Sequence, residues 1–420
     1  MSDPLTKTDA RPAEMRRPVV FYRHNLGDGG VQKMTVILAN ALVEAGQVVD
    51  IVVDEPGGRY RDALSDEVRV VVLAKRDKWA AYLALVRVDA RSGVCELLRR
   101  LFPGRTRMQL ARLSSLAAYL AERRPAVLFA AAPLPIHAVW AKKIARSDTP
   151  VVATIHSTLS ERWAGRNVSG VDGHRRWRLY LKRLRRVVPE CDAVLGISRG
   201  TLVDFMTLMG RPGVPAHAIY NPVVDKTSAH ITQAACGHPW LDVDTGIPVV
   251  LAVGRLAPVK RFADLLEAVA LARRSRAIRL IILGEGPECA ALWARARDLA
   301  IVDAFDMPGY RADVTGFMQR SAVFVLASES EALSNVLIEA LACGCSVVAT
   351  DCPTGPREVL DDGRYGQLVP VGDTAAMSQA ILAALQTPAA NMGPQRAAAF
   401  SKAASVAQYQ ALILALKPGR

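Results

Sequence analysis

Residues 248–262 read PVVLAVGRLAPVKRF, and this stretch indicates the fold more directly than any other segment. An apolar run of strand length ends at Gly254, a polar turn follows, and a helix is expected to begin near Lys260. Strands that are apolar on both faces are typical of parallel sheets covered by helices on both sides. The stretch therefore predicts one strand–helix unit of a parallel α/β sheet.

The same alternation of short β-branched runs with helical stretches continues in both directions along the chain. It predicts an α/β protein of two Rossmann-like, doubly wound parallel-sheet domains that face a central cleft, where ligands of such sheets bind. Strands are expected at 19–23, 48–53, 68–73, 126–131, 151–155, 193–197 and 217–220, and again at 248–253, 279–283, 323–326, 346–349 and 367–369.

A length of 420 residues suits two domains better than one. A polar stretch that follows Asn221-Pro222 marks the boundary between them, and residues 79–124 are expected to hold two helices broken at Pro103-Gly104. The predicted divisions are a flexible leader at 1–17, a first domain at 18–225, a linker at 226–246, a second domain at 247–400, and a C-terminal helix at 401–420 that packs back on the first domain.

The charge of the chain is unevenly distributed. Residues 1–225 contain 35 Lys and Arg against 22 Asp and Glu, so the whole net charge of +13 lies in this half. Such asymmetry indicates an anionic partner. No apolar run is long enough to span a bilayer, the leader lacks the apolar core of a signal peptide, and the seven cysteines are scattered, so we expect a cytoplasmic protein.

The segment EALSNVLIEALACG, residues 331–344, carries the strongest chemical signal. A helix is expected to begin near Ser334, and the unpaired N–H groups of its first turn would attract an anion. Glu331 precedes this helix and Glu339 lies inside it, so both carboxylates can accept hydrogen bonds from hydroxyl groups beside the anion. The segment predicts a diphosphate flanked by a sugar and a ribose; an ordinary surface helix with two glutamates is the alternative.

Two cations follow the strand at 248–253. Arg255 offers a bidentate fork to a phosphate, and Lys260 offers a point charge. Both stand near the carboxyl end of one strand, where they could hold a diphosphate; a solvated basic turn is the alternative.

These motifs together resemble the retaining glycosyltransferase group 1 family, which has the GT-B fold. The resemblance covers essentially the whole second domain in the correct order and the first domain more loosely. It rests on Arg255 with Lys260, LGEGP (283–287), PGY (308–310), the E-x7-E pair Glu331 and Glu339, and DCPTGPREVLDDGRYGQLV (351–369), with GGVQKMTVILANAL (29–42), His156, GISRG (196–200) and IYNPV (219–223) in the first domain.

The resemblance implies a retaining hexosyltransferase in which the first domain is the acceptor side and the second domain binds the nucleotide sugar. The catalytic group would be Glu331, His156, Arg255 and Lys260. The donor site would comprise Gly29, Gly30, Gly254, Arg255, Lys260, Arg311, Glu331, Leu333, Ser334, Asn335, Val336 and Glu339. The family commonly has glycine at the positions of Ala332 and Ser334, a departure that we interpret as specificity.

The co-substrate implied is a nucleotide-diphosphate sugar, with UDP as the expected nucleotide, and neither a cofactor nor a metal is expected. Asp242-Val243-Asp244 has the spacing of a metal-binding motif of another glycosyltransferase fold, but it stands in the linker, where two acidic turn residues are the better interpretation. Charge on the departing diphosphate would be stabilised by Arg255, Lys260 and the helix N-terminus.

Residues 174–188, HRRWRLYLKRLRRVV, predict a basic amphipathic helix of the kind that lies on an anionic membrane. A helix that faces its own core and solvates its basic side is the alternative. The expected acceptor is a glycan, linked to a polyprenyl diphosphate, in surface-polysaccharide synthesis on the inner face of the plasma membrane; nucleic acid is not expected. The membrane or acceptor surface would comprise Arg175, Arg176, Trp177, Arg178, Lys182, Arg183, Arg185 and Arg186.

Two other functions remain open from the sequence. The chain could be a catalytically silent sugar-nucleotide-binding or scaffold protein of the same pathway. It could also be a GT-B enzyme of another reaction, such as a sugar-nucleotide epimerase.

Overall fold

Two parallel sheets organise the chain. The structure is a computed structural model and describes residues 17–27, 29–91, 93–94, 110–160, 171–225, 236–386 and 393–416. The first sheet has seven strands and the second has six, and all of them are parallel.

The strands are β1 Val19–Arg23, β2 Val49–Val53, β3 Arg69–Val72, β4 Val127–Ala131, β5 Val151–Ile155, β6 Ala193–Gly196, β7 Ala216–Ala218, β8 Val249–Val253, β9 Arg279–Leu283, β10 Phe305–Asp306, β11 Val323–Leu326, β12 Ser346–Thr350 and β13 Gln367–Val369. Their order is β3-β2-β1-β4-β5-β6-β7 in the first sheet and β10-β9-β8-β11-β12-β13 in the second. The order reverses beside β1 in one sheet and beside β8 in the other, which is the doubly wound arrangement. The helices are α1 Gly30–Glu44, α2 Lys78–Val88, α3 Leu113–Arg123, α4 Pro135–Ala145, α5 Val171–Val187, α6 Arg199–Met209, α7 Pro239–Asp242, α8 Phe262–Ala272, α9 Cys289–Asp298, α10 Thr315–Arg320, α11 Asn335–Ala342, α12 Pro356–Val359, α13 Thr374–Gln386, α14 Gly393–Ala397 and α15 Lys402–Ala415.

Burial on both faces explains why the strands are apolar throughout. Every residue of β1 and β2 is buried. Val20 and Tyr22 pack into the cluster under α3 and α4, whereas Val19 and Phe21 pack into the cluster under α1. Alternate residues of a strand point to opposite faces, so an uninterrupted apolar run is required when both faces are covered. The predicted fold class, two doubly wound parallel-sheet domains, is confirmed.

The strand predictions fail only at sheet edges. The strand expected at 217–220 forms at Ala216–Ala218 instead, and the two-residue strand Phe305–Asp306 was not predicted. Both are outermost strands, which form few ladder bonds and carry little pattern. Pro103-Gly104, where a helix break is expected, lies outside the described residues.

Helix α15 follows the second domain in sequence but packs on the first. Tyr409 of α15 places its ring 5.3 Å from the ring of Phe129 and 6.5 Å from that of Phe21, in the middle of the first sheet. The chain thus passes between the domains twice, and the two passages are bonded together: Val223 N and Val224 N both donate to the carbonyl of Phe400.

The apolar side of the basic helix faces the first domain's own core. Leu181 and Leu184 of α5 are fully enclosed in the cluster that covers the sheet, and Trp177 packs against that cluster. Arg183 is buried as well. The structure therefore corrects the expectation that Trp177 and Arg183 belong to a membrane-facing surface, because α5 must use this side to cover the sheet.

The exposed part of α5 is smaller than the sequence suggests. Arg178, Lys182 and Arg185 are exposed, whereas Arg186 donates to Asp89 at 2.7 Å. The side chains of Arg175 and Arg176 lie outside the described part of the structure. Among the described helices, none has the length and apolar character needed to cross a membrane.

Candidate active site

The carboxyl ends of the central strands of both sheets face one cleft, and they carry most of the predicted site. In the second domain β8 leads into Gly254, and β11 leads into Glu331. In the first domain β1 leads to Gly29 at the start of α1, and β5 leads to His156. The fold thus brings together residues that are up to 306 positions apart in sequence (Lys33 and Glu339).

Glu331 and Lys260 form the central contact of this cleft. Lys260 Nζ donates to Glu331 Oε1 at 2.5 Å, and Ser328 Oγ donates to the same oxygen at 2.8 Å. Both charged side chains are largely buried. A partly buried carboxylate with two donors on one oxygen has a fixed orientation and retains its second oxygen for a ligand.

The loops after β8 and β9 and the 308–311 loop pack closely on one another. Gly254 N donates to Leu283 O at 2.9 Å, and Gly284 N donates to Gly309 O at 3.0 Å. A Cβ on Gly284 would lie 1.9 Å from the carbonyl oxygen of Gly254, so only glycine fits. Arg255 follows directly and its side chain is exposed at the same edge, so the motifs 253–262, 283–287 and 308–310 form one surface.

Helix α11 begins at this surface with an unusual residue. Ser334, at its N-cap, has a φ of 69°, a left-handed conformation that favours glycine. Its hydroxyl is buried, and Ser334 Oγ has no hydrogen-bond partner among the described residues. The conformation accounts for the glycine that the family commonly has here, and the first turn of α11 presents N–H groups to the cleft. Leu333 is buried beneath, and Asn335 and Val336 are half-buried.

Glu339 connects α11 to the first domain. Its Oε1 lies 3.7 Å from Nζ of Lys33, in the first turns of α1. Burial raises the pKa of Glu339, and the positive charge of Lys33 opposes that rise. Sequence reasoning missed Lys33, although its position four residues after Gly29 places it at the cleft end of α1.

The Gly29-Gly30 turn leaves space for a ligand. Gly29 has a φ of 138° and caps α1. Apart from the chain neighbours and the backbone of α1 itself, the described residues place no atom within 4 Å of the point where a Cβ of Gly30 would stand. A ligand between the domains could therefore approach the backbone at the N-terminus of α1 as well as that of α11.

His156 lies at the end of β5 and is an uncharged residue. Its Nε2 is 3.3 Å from Thr154 Oγ1. Burial, together with the positive charge of Arg23, lowers the pKa of His156 to about 3. A neutral imidazole here can exchange hydrogen bonds with hydroxyl groups, but it offers no positive charge to a phosphate at neutral pH.

The 308–311 loop meets the first domain at its outer end. The guanidinium of Arg59 lies 4.5 Å from the centre of the Tyr310 ring, an interdomain cation–π contact. Arg311 is exposed beside it and donates from Nη1 to Tyr310 O at 3.2 Å. This places Arg311 at the rim of the cleft.

Side chains suited to metal binding are dispersed. The described residues contain no group of three or more His, Cys, Asp or Glu side chains that could hold a metal ion. Asp242, from the Asp242-Val243-Asp244 stretch, instead accepts hydrogen bonds from the backbone N–H groups of Cys236 and Gly237 at 3.0 and 2.8 Å. Asp242 is thus the last residue of α7, and its carboxylate is bonded to the backbone that precedes the helix.

Two parallel-sheet domains that meet over these strand ends place the chain in the GT-B class. Residues 28–226 match the family model of Glycosyltransferase Family 4, and residues 247–387 match that of Glycosyl transferases group 1. The chain therefore belongs to the family 4, group 1 glycosyltransferases.

Several characterised relatives share part of the sequence. The chain is 32% identical over 198 residues to N-acetylgalactosamine-N,N'-diacetylbacillosaminyl-diphospho-undecaprenol 4-alpha-N-acetylgalactosaminyltransferase of Campylobacter jejuni, covering 47% of this chain and 52% of the relative. It is 36% identical over 141 residues to the lipopolysaccharide core biosynthesis glycosyltransferase LpsE of Rhizobium meliloti, covering 34% of this chain and 40% of the relative. The chain thus spans about half the length of the curated relatives it matches.

Solved structures share the fold over nearly the whole chain. Sucrose-phosphate synthase of Thermosynechococcus elongatus superposes with a TM-score of 0.68 at 19% identity, covering 96% of this chain and 99% of that one. Anabaena HepE in complex with UDP and glucose superposes with a TM-score of 0.68 at 18% identity, covering 95% and 99%. At this level of identity the likeness establishes the fold alone.

Proposed function

We propose that the chain transfers a hexosyl or N-acetylhexosaminyl group from a UDP-sugar to a lipid-linked glycan, with retention of configuration, in surface-polysaccharide synthesis. The observation that carries the proposal is the pairing of Lys260 with Glu331 at the N-terminal end of α11, opposite Lys33 and Glu339. A cation and a helix N-terminus suit a diphosphate, and the two carboxylates suit the hydroxyl groups on either side of it.

The donor would lie across the cleft in one orientation. Lys260 and Arg255 would bond the diphosphate together with the first N–H groups of α11. Glu331 lies on one side of these groups and would accept hydrogen bonds from the sugar hydroxyls. Glu339 lies more than a turn along α11 and would accept those of the ribose. The base would then reach the 308–311 loop, beside Tyr310 and Arg311.

Stabilisation of the departing diphosphate would supply the main catalytic effect. Its negative charge grows as the bond to the sugar breaks. Lys260, Arg255 and the dipole of α11 would stabilise this charge from fixed positions. Neutral His156, on the opposite side of the cleft, would bond hydroxyls of the sugar or acceptor. Retention is what the resemblance implies, and the anomeric configuration of the product tests it directly.

A lipid-linked acceptor agrees with the charge of the first domain and with the relative from Campylobacter jejuni, whose name specifies a diphospho-undecaprenol substrate. The helix α2 offers a second surface for a membrane. Trp79 and Leu83, four residues apart and so on one face, are 50% and 60% exposed, and the exposed cations Lys75, Arg76 and Arg87 flank them. We expect this face to meet an anionic bilayer.

A donor screen tests the proposal. The purified protein is incubated with UDP-, GDP- and ADP-sugars and a synthetic polyprenyl-diphosphate glycan, and product is detected by mass spectrometry. Transfer from a UDP-hexose or UDP-N-acetylhexosamine, lost in Glu331→Gln, is the expected result. Binding of a sugar nucleotide without turnover would favour a silent binding protein instead, and interconversion of the donor's sugar would favour an epimerase.

A further inference from the structure

Thr354 contacts both domains through one hydroxyl group. It lies in the loop between β12 and α12 and is buried. Its Oγ1 donates to the backbone carbonyl of Glu331 and lies 3.0 Å from Oγ1 of Thr158, a buried residue of the first domain. A hydroxyl has one proton, and Thr354 gives its proton to Glu331, so Thr158 must be the donor in the contact between the two threonines.

The neighbouring contacts form the same kind of bridge. Ser198 Oγ, at the N-cap of α6 in the first domain, donates to the carbonyl of Ala332 at 2.7 Å. Glu358 of the second domain accepts from the N–H groups of Arg199 and Gly200 at 2.8 and 3.0 Å. A Cβ on Gly200 would lie 2.9 Å from Thr354 Cγ2, so the backbone approaches Thr354 as closely as glycine allows.

These contacts divide the control of Glu331 between the domains. Its carboxylate is held by Lys260 and Ser328, which belong to its own domain. Its backbone carbonyl, and that of Ala332, are held by hydroxyls that are bonded to, or part of, the first domain. If the domains separate, the carboxylate retains its partners and the Glu331 carbonyl retains Thr354, but Thr354 loses Thr158 and the carbonyl of Ala332 loses Ser198. The backbone around Glu331 is then held from its own domain alone.

We propose that Thr354 is a positioning residue that makes the geometry of Glu331 depend on contact between the two domains. The proposal rests on the proposed function, in which Glu331 bonds the sugar next to the reacting carbon. Lys260 and Glu339, which would bind the rest of the donor, have no bond to Thr354 among the described contacts. Loss of the Thr354 hydroxyl should therefore impair the chemical step and leave donor affinity in place.

Four variants separate positioning from mere stability. Thr354→Val removes the hydroxyl at nearly constant shape, Thr354→Ser keeps it, Thr158→Val removes the donor from the first domain, and Thr207→Val alters an exposed threonine of α6 as the control. We expect Thr354→Val to lower kcat roughly ten- to a hundredfold, the scale of a small misplacement of a reacting group, with the donor dissociation constant nearly unchanged.

The remaining variants should follow in order. Thr354→Ser should recover most of kcat, Thr158→Val should lower kcat in the same direction, and the double valine variant should be no worse than Thr354→Val because both residues serve one bridge. Failure of serine to rescue, or equal losses of kcat and donor affinity with a lowered Tm, would overturn the proposal and leave Thr354 a structural residue.

Hydrogen exchange gives a readout that does not depend on turnover. Amides of residues 329–336 should exchange faster in Thr354→Val and Thr158→Val than in wild type, and should be unaffected in Thr207→Val. Unchanged exchange in both valine variants would reject the bridge even if the protein is active. If the wild-type protein transfers no sugar but the two valine variants still exchange faster than it at residues 329–336, the proposed function is rejected and the bridge is retained.

Discussion

Lys260 Nζ lies 2.5 Å from Glu331 Oε1, so the cation proposed to hold the diphosphate is bonded to the carboxylate proposed to hold the sugar. An ammonium group has three donors, and Lys260 can bond a phosphate oxygen without releasing Glu331. One ion pair thereby fixes the position of the proposed diphosphate relative to that of the proposed sugar. Arg255, which is exposed at the same edge, has no such bond to Glu331 among the described contacts.

Replacement of the two cations should therefore have different effects. Each of Arg255→Ala and Lys260→Ala should weaken donor binding by about 1.5–3 kcal/mol, roughly ten- to over a hundredfold, because each removes a charge-assisted bond. Lys260→Ala should also depress kcat, since it leaves Glu331 without its cation. Calorimetry and steady-state kinetics measure both quantities, and unchanged affinity in both variants would remove the diphosphate assignment.

The two glutamates should separate chemistry from binding. Glu331→Gln should lower kcat far more than donor affinity, whereas Glu339→Gln should act mainly on donor affinity, because only Glu331 lies beside the proposed sugar. Lys33→Met provides a matched control for the ribose side, and we expect it to mimic Glu339→Gln in direction. Equal losses of affinity with an intact chemical step in Glu331→Gln would contradict these roles.

Turnover should persist in an excess of chelator. The proposed stabilisation of the leaving diphosphate uses Lys260, Arg255 and the N-terminus of α11, which need no added ion. The measurement compares initial rates with and without EDTA after extensive dialysis. Loss of activity in EDTA and its recovery with magnesium or manganese would overturn the metal-independent mechanism.

The free energy of unfolding should decline as the pH falls below about 6.5. Burial lowers the pKa of His137 to about 4, and burial together with the positive charge of Arg23 lowers the pKa of His156 to about 3. Below pH 6.5 the two histidines are therefore protonated in the unfolded chain while they remain neutral in the folded protein. The contribution of each histidine to the free energy of unfolding is fully present above its unfolded pKa. It is lost as the pH falls toward the folded pKa, by at most about 1.4 kcal/mol per pH unit for each histidine.

The test compares His137→Gln with wild type in urea unfolding at several pH values. The variant should lose less stability between pH 7 and pH 5 than wild type, while the difference between the two proteins stays constant above pH 7. If the free energy of unfolding falls with pH equally steeply in both proteins below pH 6.5, His137 does not contribute to the pH dependence of stability.

Membrane association should have one part that salt weakens and one that it does not. Each cation near an anionic surface contributes about 1 kcal/mol, and the attraction is screened over about 8 Å at physiological salt. Replacement of Arg178, Lys182 and Arg185 by Glu should reduce binding to anionic vesicles at low salt. Trp79→Ser with Leu83→Ser should reduce the binding that remains at high salt, and equal vesicle binding of all proteins would exclude both surfaces.

The sequence predicted the central strands because burial on both faces leaves an unambiguous apolar run, as in β1 and β8. Arg255 and Glu331 follow such strands, Lys260 precedes the next helix, and Glu339 lies on the helix after Glu331, so the local pattern predicts all four near the carboxyl edge of the second sheet. These signals lie within short segments of the chain, so they can be recognised from a single sequence.

Contacts between distant residues could not be predicted in this way. Thr158 and Thr354 are 196 positions apart, and nothing in either local sequence identifies the other. The amphipathic pattern of α5 was visible, but a stripe such as Leu181 and Leu184 reads the same whether it faces a bilayer or a sheet. Ser334 adopts a left-handed conformation that its residue type disfavours, and only the surrounding packing imposes it.

The docking of α15 on the first sheet has a consequence for how the chain is made. Domains of a multidomain protein generally fold during synthesis in the order in which they emerge from the ribosome. Here Val406, Tyr409 and Leu412 belong to the core of the first domain but are synthesised after every residue of the second. Part of the apolar surface of the first domain therefore remains uncovered until the second domain has been translated. The domain that is synthesised first is the last to be completed.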